Sequence, residues 1–235
     1  MGFWDNFEGD YENLFAGDPM YAEALRMMVE TAGDLSGKRV LDLGCGAGAL
    51  IASIVEGYPG VEVHGVDPSE RMVRRCLRRF REVEGVRVSA GTAVSIPLPD
   101  GCIHVIFSNL ALHHVPPPDR PACAREVARV LQPGGRLVYA DMFCDVEGPP
   151  EDPARCRDII QKMVGKSLYD LEHGAYETML LHLGDIPAVL KGEGEYFTTD
   201  EVWRRAFAVA GLENLWVVPV PPAEFGYRII TGTRV

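Results

Sequence analysis

The chain has 235 residues, of which 47% are hydrophobic, and this size suits one α/β domain with an insertion and a sizeable buried core. Its net charge of −11 at pH 7 disfavours general affinity for nucleic acid or for an anionic membrane surface. Because its apolar runs are too short to cross a membrane and its first residues lack a secretory-signal pattern, we expect a cytoplasmic protein.

The first predicted element is an amphipathic helix near the N-terminus. Asp18 and Pro19 are typical of an N-cap followed by the first helical position. Apolar residues then recur at helical spacing over Tyr21–Ala32. Residues 1–37 are therefore predicted to form an N-terminal helical cap.

Strands and helices alternate over residues 38–143, which predicts a parallel sheet with helices on both faces. The predicted strands are Arg39–Leu43, Val61–Val66, Val86–Ser89, Ile103–Phe107 and Arg136–Phe143. The predicted helices are Ala49–Glu56, Ser69–Val83 and Ala122–Leu131, and residues 132–135 are expected to form a turn. Ligands of such sheets bind at the carboxyl ends of the strands.

Residues 144–197 interrupt this alternation. Because they are inserted after the fifth strand, we expect them to stand over the ligand crevice as a lid that contacts substrate. The alternation resumes over residues 198–235, where Thr198–Glu201 resembles a capping box that opens a helix. Leu215–Val220 and Tyr227–Thr231 are predicted as a closing pair of strands.

The most informative stretch is Val40–Gly48, in which a strand leads into three glycines at alternate positions. Such a turn brings a ligand against bare backbone at the start of a helix. Gly44–Ala49 satisfies the G-x-G-x-x-A pattern of dinucleotide-binding folds, which makes a nicotinamide cofactor one interpretation. Against it, Gly48 comes one position early for a pyrophosphate turn, and the carboxylate of Asp42 suits a cationic ligand better than a diphosphate.

Five motifs in this order resemble those of the class I S-adenosylmethionine-dependent methyltransferases. They are Val40–Leu50, Val63–Ser69, Gly91–Ala93, Ile103–His114 and Leu131–Gly135. The sequence is most similar to small-molecule methyltransferases such as those of quinone biosynthesis. The resemblance implies a Rossmann-like, doubly wound seven-stranded sheet with a C-terminal antiparallel hairpin. It also implies S-adenosylmethionine as cofactor, S-adenosylhomocysteine as product, and a small-molecule acceptor.

The resemblance assigns the cofactor contacts residue by residue. Gly44 and Gly46 would let the backbone approach the methionine portion of the cofactor. Asp67, which precedes Pro68 at the end of the second strand, would accept both ribose hydroxyls; its alternative role is to cap the next helix. Met72 would pack on the adenine or, equally well, in the protein core.

Further cofactor contacts are expected after the third and fourth strands. Thr92 and Ala93 would border the adenine edge, although many relatives carry an acid where this chain has Thr92. Asn109 would contact the cofactor through its backbone, or is simply a turn residue at a strand end. Asp42 would lie near the charged portion of the cofactor.

Methyl transfer from a sulfonium needs little from the protein beyond alignment, which can supply roughly 7–11 kcal/mol. A general base is required only when the nucleophile carries a proton with a high pKa. His113 and His114 are the leading candidates because they follow the fourth strand and titrate near neutral pH. His173, His182 and Asp141 are weaker alternatives.

Aromatic and basic side chains give two further expectations. Tyr11, Phe15 and Tyr21 are candidates to cover the cofactor, because aromatic faces attract a sulfonium; packing in the core is the alternative. The six arginines of residues 71–81 are expected to form a solvated helix face and not an RNA-binding patch.

The six cysteines include no C-x-x-C pair, and the spacing of Cys144 and Cys156 matches no familiar ligand pattern, so no metal site is predicted. Two alternatives to a methyltransferase remain open at this level. They are an NAD(P)-dependent oxidoreductase and a module that binds S-adenosylmethionine without turnover.

Overall fold

The computed structural model describes Phe15 and residues 17–235. Its strands are β1 (Arg39–Leu43), β2 (Glu62–Asp67), β3 (Val86–Ala90), β4 (Ile103–Asn109), β5 (Leu131–Met142), β6 (Leu212–Pro219) and β7 (Tyr227–Arg234). Its helices are α1 (Pro19–Ala32), α2 (Ala49–Gly57), α3 (Glu70–Arg79), α4 (Arg120–Val130), α5 (Pro153–Glu172), α6 (Tyr176–Lys191) and α7 (Asp200–Val209). Short 3₁₀ turns cover Leu112–His114, Pro117–Asp119 and Ala223–Phe225.

All seven strands form one sheet in the order β3-β2-β1-β4-β5-β7-β6. Strands β1 to β5 pair in parallel, whereas β7 pairs antiparallel with both β5 and β6. The predicted doubly wound sheet with a C-terminal antiparallel hairpin is therefore confirmed. The strand order reverses between β1 and β4, and ligands of such sheets bind in the crevice at that point.

Alternate residues of the central strands face two separate cores, as the two-residue period of a strand requires. Val40 and Phe107 pack with helices α1, α2 and α3 on one face of the sheet. Leu41 and Ile106 pack with α4 and α7 on the other face. Both faces are thus covered, which is usual for parallel strands.

Helix α1 begins where the sequence predicts, because the Asp18 carboxylate accepts hydrogen bonds from the amides of Met20 (2.9 Å) and Tyr21 (3.2 Å). Residues 1–14 of the predicted N-terminal cap lie outside the described part of the chain. None of the helices in the described ranges is long and apolar enough to cross a bilayer.

Most element boundaries differ from the prediction by three residues or fewer, and two differ by more. Helix α3 ends at Arg79 and not at Val83, because the buried Phe80 forms its C-cap. Residues 132–135, predicted as a turn, lie within β5. There the pairing with β4 is irregular: Leu131 is opposite Ile103, and the next pair joins positions 136 and 105.

The predicted capping box at the start of α7 is wrong, although the helix is present. Thr199 is the N-cap, and its buried hydroxyl has no hydrogen-bond partner within the described ranges. The Glu201 carboxylate is drawn instead to Arg204 and Arg205, one turn further along the helix. Side-chain pairing along the helix therefore replaces the reciprocal cap.

Candidate functional site

A cleft of about 330 Å³ lies at the carboxyl ends of the parallel strands. It is bounded by Gly44 after β1, Asp67 at the end of β2, Gly91 after β3 and Leu110 after β4. The sheet topology places this crevice beside the strand-order reversal between β1 and β4.

The glycine turn forms one wall of the cleft, with no room for larger residues. Gly44 has φ +81°, and a Cβ atom there would lie 2.3 Å from the Cβ of Ala111. Gly48 has φ +83°, and a Cβ there would lie 2.5 Å from the Phe80 ring. Both the backbone angles and the available space therefore require glycine.

The Asp67 carboxylate fixes this turn from the neighbouring strand. Its Oδ2 accepts a hydrogen bond from the Gly46 amide, and its Oδ1 accepts one from the Ser69 amide, both at 2.9 Å. The N-cap of α3 is Ser69, whose hydroxyl accepts from the Met72 amide at 3.3 Å, so the capping role considered for Asp67 belongs to Ser69. A carboxylate oxygen can accept more than one hydrogen bond, which leaves Asp67 able to bind a ligand.

Asp42 lies beneath the turn and lines neither the cleft nor the cavity described next. Its carboxylate is buried, and its Oδ2 has no hydrogen-bond partner among the described residues. Burial, with a smaller contribution from Asp67, raises the pKa of Asp42 to about 8. The Asp42 carboxylate therefore lies outside the lining of both cavities, and its contact with a cofactor stays a prediction.

A second, smaller cavity of about 70 Å³ adjoins the cleft and shares Leu110 with it. Three parts of the chain contribute to its walls. Tyr21 comes from α1, Met142 from the end of β5, and Leu181 from α6. The inserted segment after β5 thus encloses this cavity.

His113 is held between two carboxylates at the wall of the second cavity. Its Nδ1 lies 2.6 Å from Asp141 Oδ1, and its Nε2 lies 3.2 Å from Glu195 Oε2. Asp141 is fully buried, and it also accepts hydrogen bonds from the His113 amide (3.1 Å) and the Tyr139 hydroxyl (2.8 Å). Asp141 was considered from the sequence as an alternative base in the crevice. In the structure it lies behind His113 instead.

The adjacent histidines differ in charge. Burial alone would lower the pKa of His113, but Asp141 and Glu195 together raise it well above its usual value. The pKa of His114 is lowered by burial and by the neighbouring charge of His113. His113 is therefore an imidazolium at neutral pH, whereas His114 is neutral, with its Nδ1 3.0 Å from the Gly194 carbonyl.

Donor atoms of His113, His114 and Glu195 lie within 4.8 Å of one another, and no other group of three potential metal ligands occurs in the described ranges. The hydrogen bonds to Asp141 and Gly194 account for these histidines without an ion. The two cysteines considered for a metal site do not belong to this group. Cys144 Sγ donates to the Val146 carbonyl and Cys156 Sγ to the Pro150 carbonyl.

A buried chain of charges connects α1 to the inserted helices. Lys166 Nζ lies 2.8 Å from Asp18 Oδ2 and also contacts Asp170. The other oxygen of Asp170 lies 2.9 Å from His182 Nδ1. Because Asp18 also caps α1, this chain fixes the insertion to the start of that helix.

The family model described as a methyltransferase domain matches residues 40–135, the segment that builds the cleft. Over these residues the chain is similar to methyltransferases, in agreement with the motifs that resemble the class I S-adenosylmethionine-dependent family.

Curated relatives of this chain include the uncharacterized methyltransferase YcgJ of Bacillus subtilis. It is 37% identical over 145 residues, which are 60% of this chain and 53% of the relative. The 27-O-demethylrifamycin SV methyltransferase of Amycolatopsis mediterranei is 29% identical over 87% of this chain and 72% of its own length. The first curated relatives are matched over about half of their length or less.

Among solved structures, this chain is similar to geranyl diphosphate C-methyltransferase from Streptomyces coelicolor, which was determined with S-adenosylhomocysteine. The TM-score is 0.65 at 18% identity, over 92% of this chain and 79% of that one. At this identity the likeness concerns the fold alone.

The structure brings most of the predicted cofactor residues together in the cleft. These are Gly44, Gly46, Asp67, Pro68, Met72, Thr92 and Ala93. Asn109 lines the second cavity instead, where its side chain accepts a hydrogen bond from the Tyr227 hydroxyl at 2.6 Å. That leaves the Asn109 backbone for the predicted contact.

The predicted catalytic pair is divided between the two cavities. His113 lines the second cavity, whereas His114 lines the cleft. Of the weaker alternatives, His182 lines the second cavity, and His173 is exposed and stacks on Tyr169. His173 is thereby separated from both cavities.

Two of the three aromatic residues predicted to cover the cofactor lie in the described part of the chain. Phe15 and Tyr21 line the second cavity and stack at a centroid distance of 4.6 Å. Tyr11 lies outside the described residues.

Two carboxylates of the second cavity escaped the sequence analysis. Glu195 follows the glycine-containing end of α6, and Asp185 interrupts the otherwise mostly apolar run Met179–Val189. An isolated carboxylate within an apolar helical stretch was the available signal for Asp185. Glu195 carried no comparable signal.

Proposed function

We propose that this protein transfers a methyl group from S-adenosylmethionine to an O, N or C atom of a small-molecule acceptor. The observation that carries the proposal is the adjacency of the cleft and the second cavity, which meet at Leu110. A transferase needs two such sites in contact, because both reactants must be held in line.

The residues of the cleft fit the cofactor. Gly44 and Gly46 line the cleft without side chains, as expected where a ligand touches the backbone. Asp67 would accept the ribose hydroxyls, and Met72 with Ala93 would bound the adenine. When bound, the cofactor supplies an electrophilic methyl group on its sulfonium.

His113 is the residue proposed to receive a proton from the acceptor. Its Nε2 is on the cavity side with Glu195, while Asp141 holds Nδ1 and so fixes the orientation of the ring. Because its pKa is raised, the imidazole is a stronger base, but its unprotonated fraction at neutral pH is smaller. The base function therefore increases with pH.

We further propose that residues 1–37 form a cap and residues 144–197 form a lid over the acceptor. This rests on the lining of the second cavity, to which Tyr21, Met163 and Val189 contribute. The buried pair of Lys166 and Asp18 would hold the lid on the cap.

Calorimetry with S-adenosylhomocysteine and with NAD tests the cofactor. We expect S-adenosylhomocysteine to bind and NAD not to bind; the reverse result would overturn the proposal in favour of a nicotinamide enzyme. Incubation with S-adenosylmethionine labelled in its methyl group and a panel of small hydroxyl, amine and activated-carbon acceptors tests turnover. Tight binding without label transfer would support a non-catalytic binding module.

A further inference from the structure

The second cavity carries more negative than positive charge. Asp185 and Glu195 line it, and the described part of its wall contains no lysine or arginine. His113 supplies a positive charge, but that charge lies between Glu195 and the buried Asp141. Three carboxylates thus share one imidazolium.

The other histidines near this wall have hydrogen-bond partners of their own. The neutral His114 has its Nδ1 3.0 Å from the Gly194 carbonyl. His182 has its Nδ1 2.9 Å from the buried Asp170, which does not line the cavity. Neither contact involves Asp185.

Asp185 differs from the other two carboxylates because it has no partner. Its side chain makes no hydrogen bond or ion pair with any residue in the part of the chain that the structure describes, whereas Glu195 contacts both His113 and His114. Burial and the nearby Glu195 raise the pKa of Asp185 to about 6, against a smaller opposing effect of His113. A partly buried carboxylate without a partner is costly unless a ligand pairs with it.

The remaining wall of the cavity suits an organic cation. The rings of Phe15 and Tyr21 stack at 4.6 Å, and Phe197 lies edge-on to His113 at 5.7 Å. All three aromatic side chains line the cavity. Aromatic faces attract cations, and this attraction strengthens when water is excluded.

We infer that the acceptor is a small amine, which binds with its protonated nitrogen paired with Asp185 and its apolar part packed against the aromatic wall. Before transfer, the nitrogen gives up one proton to the unprotonated fraction of His113. Its lone pair then takes the methyl group as the carbon–sulfur bond of the sulfonium breaks, which leaves S-adenosylhomocysteine. This inference rests on the proposed function, because it names the acceptor class of the same site. Anionic acceptors are disfavoured, because a negative group would face Asp185 and Glu195, and the described wall offers it no lysine or arginine.

Binding of charge-matched probes to the protein saturated with S-adenosylhomocysteine tests this inference. One set is phenethylamine, 2-phenylethanol and phenylacetate, and the other is pentylamine, pentanol and pentanoate. We expect the amine of at least one set to bind tenfold or more tightly than its alcohol and acid. Asp185→Asn should reduce that preference to less than threefold.

The matched control is Glu177→Gln, which removes a carboxylate from an exposed position of the same helix. It should keep the preference for the amine. Because burial disfavours the charge of Asp185, the asparagine variant should fold, and its binding of S-adenosylhomocysteine confirms that it does.

Three results would overturn the inference: no probe binds, the alcohols or acids bind as well as the amines, or Asp185→Asn leaves the preference unchanged. A loss of affinity for S-adenosylmethionine relative to S-adenosylhomocysteine in that variant, without any change for the amines, would also overturn it. Asp185 would then serve the sulfonium. Failure of wild-type protein to bind S-adenosylhomocysteine would instead contradict the proposed function.

Discussion

Asp67 Oδ2 accepts a 2.9 Å hydrogen bond from the Gly46 amide, so the end of β2 holds the glycine turn that follows β1. The same carboxylate accepts from the Ser69 amide through its other oxygen. The Asp67 side chain therefore positions the glycine turn relative to the start of α3, and the same carboxylate is proposed to bind the cofactor ribose.

Asp67→Asn should weaken S-adenosylhomocysteine binding roughly 10- to 100-fold. An amide offers only one acceptor oxygen to the Gly46 and Ser69 amides, and a hydrogen bond to a charged group is worth about 1.5–3 kcal/mol. Calorimetry measures the change. Glu62→Gln, at the exposed start of the same strand, is the control and should bind normally. Equal affinity in the Asp67 variant would contradict the role of its carboxylate.

Gly44→Ala should abolish cofactor binding and lower the free energy of unfolding by about 1–3 kcal/mol, because the new Cβ combines a strained φ with a clash against Ala111. Adding Ala111→Gly should relieve the clash and leave the φ strain, so partial recovery is expected. Gly57→Ala has open space and no positive φ, and should be neutral or slightly stabilising. Denaturant unfolding distinguishes the three variants; a Gly44 variant as stable as wild type would refute the steric argument.

The contribution of His113 to stability should depend on pH. Its pKa is raised in the folded state, so its stabilising effect is fully present below about 6.5, the pKa of an unfolded histidine, and is lost as pH rises through the higher folded value. The difference in unfolding free energy between wild type and His113→Gln should therefore shrink from pH 5.5 to pH 9.

His64 provides the opposite case for comparison. Burial and Arg87 lower its pKa, so the wild type should lose stability relative to His64→Gln as pH falls below about 6.5. Thermal or denaturant unfolding across this pH range follows both variants. A constant difference for His113 would show that Asp141 and Glu195 do not hold it as an imidazolium.

Lys166→Met should lower the free energy of unfolding by about 3–5 kcal/mol, because it leaves Asp18 and Asp170 buried without their cation. The comparison is Lys191→Met. Lys191 and Glu193 form an exposed pair at 3.9 Å, so its loss should cost less than about 1 kcal/mol. Chemical denaturation measures both, and equal effects would show that the buried pair does not fix the insertion.

The sequence predicted the sheet and most of its strand ends, because period and glycine placement are local properties of the chain. It did not predict where Asp42 points. Asp42 shares its strand face with Val40, which packs under α1 to α3, so the carboxylate enters the interior although it stands two residues before Gly44. Nearness to Gly44 in sequence did not indicate that the carboxylate is buried behind the residues that line the cleft.

The second cavity was less accessible to sequence reasoning, because its walls come from distant parts of the chain. His113 was predicted from its position after β4, but its two carboxylate partners are 28 and 82 residues away in the sequence. No local pattern specifies that Glu195 and Asp141 meet on opposite sides of one ring. That arrangement follows from the packing of the inserted segment against the sheet.

The single wall residue common to the cleft and the second cavity in the described ranges is Leu110. Mutations in the inserted segment can therefore alter the walls that enclose the acceptor while every residue lining the cleft stays the same. Substrate preference can thus diverge, by natural selection or by exchange of residues 144–197 between homologues, while the cofactor cleft is unchanged.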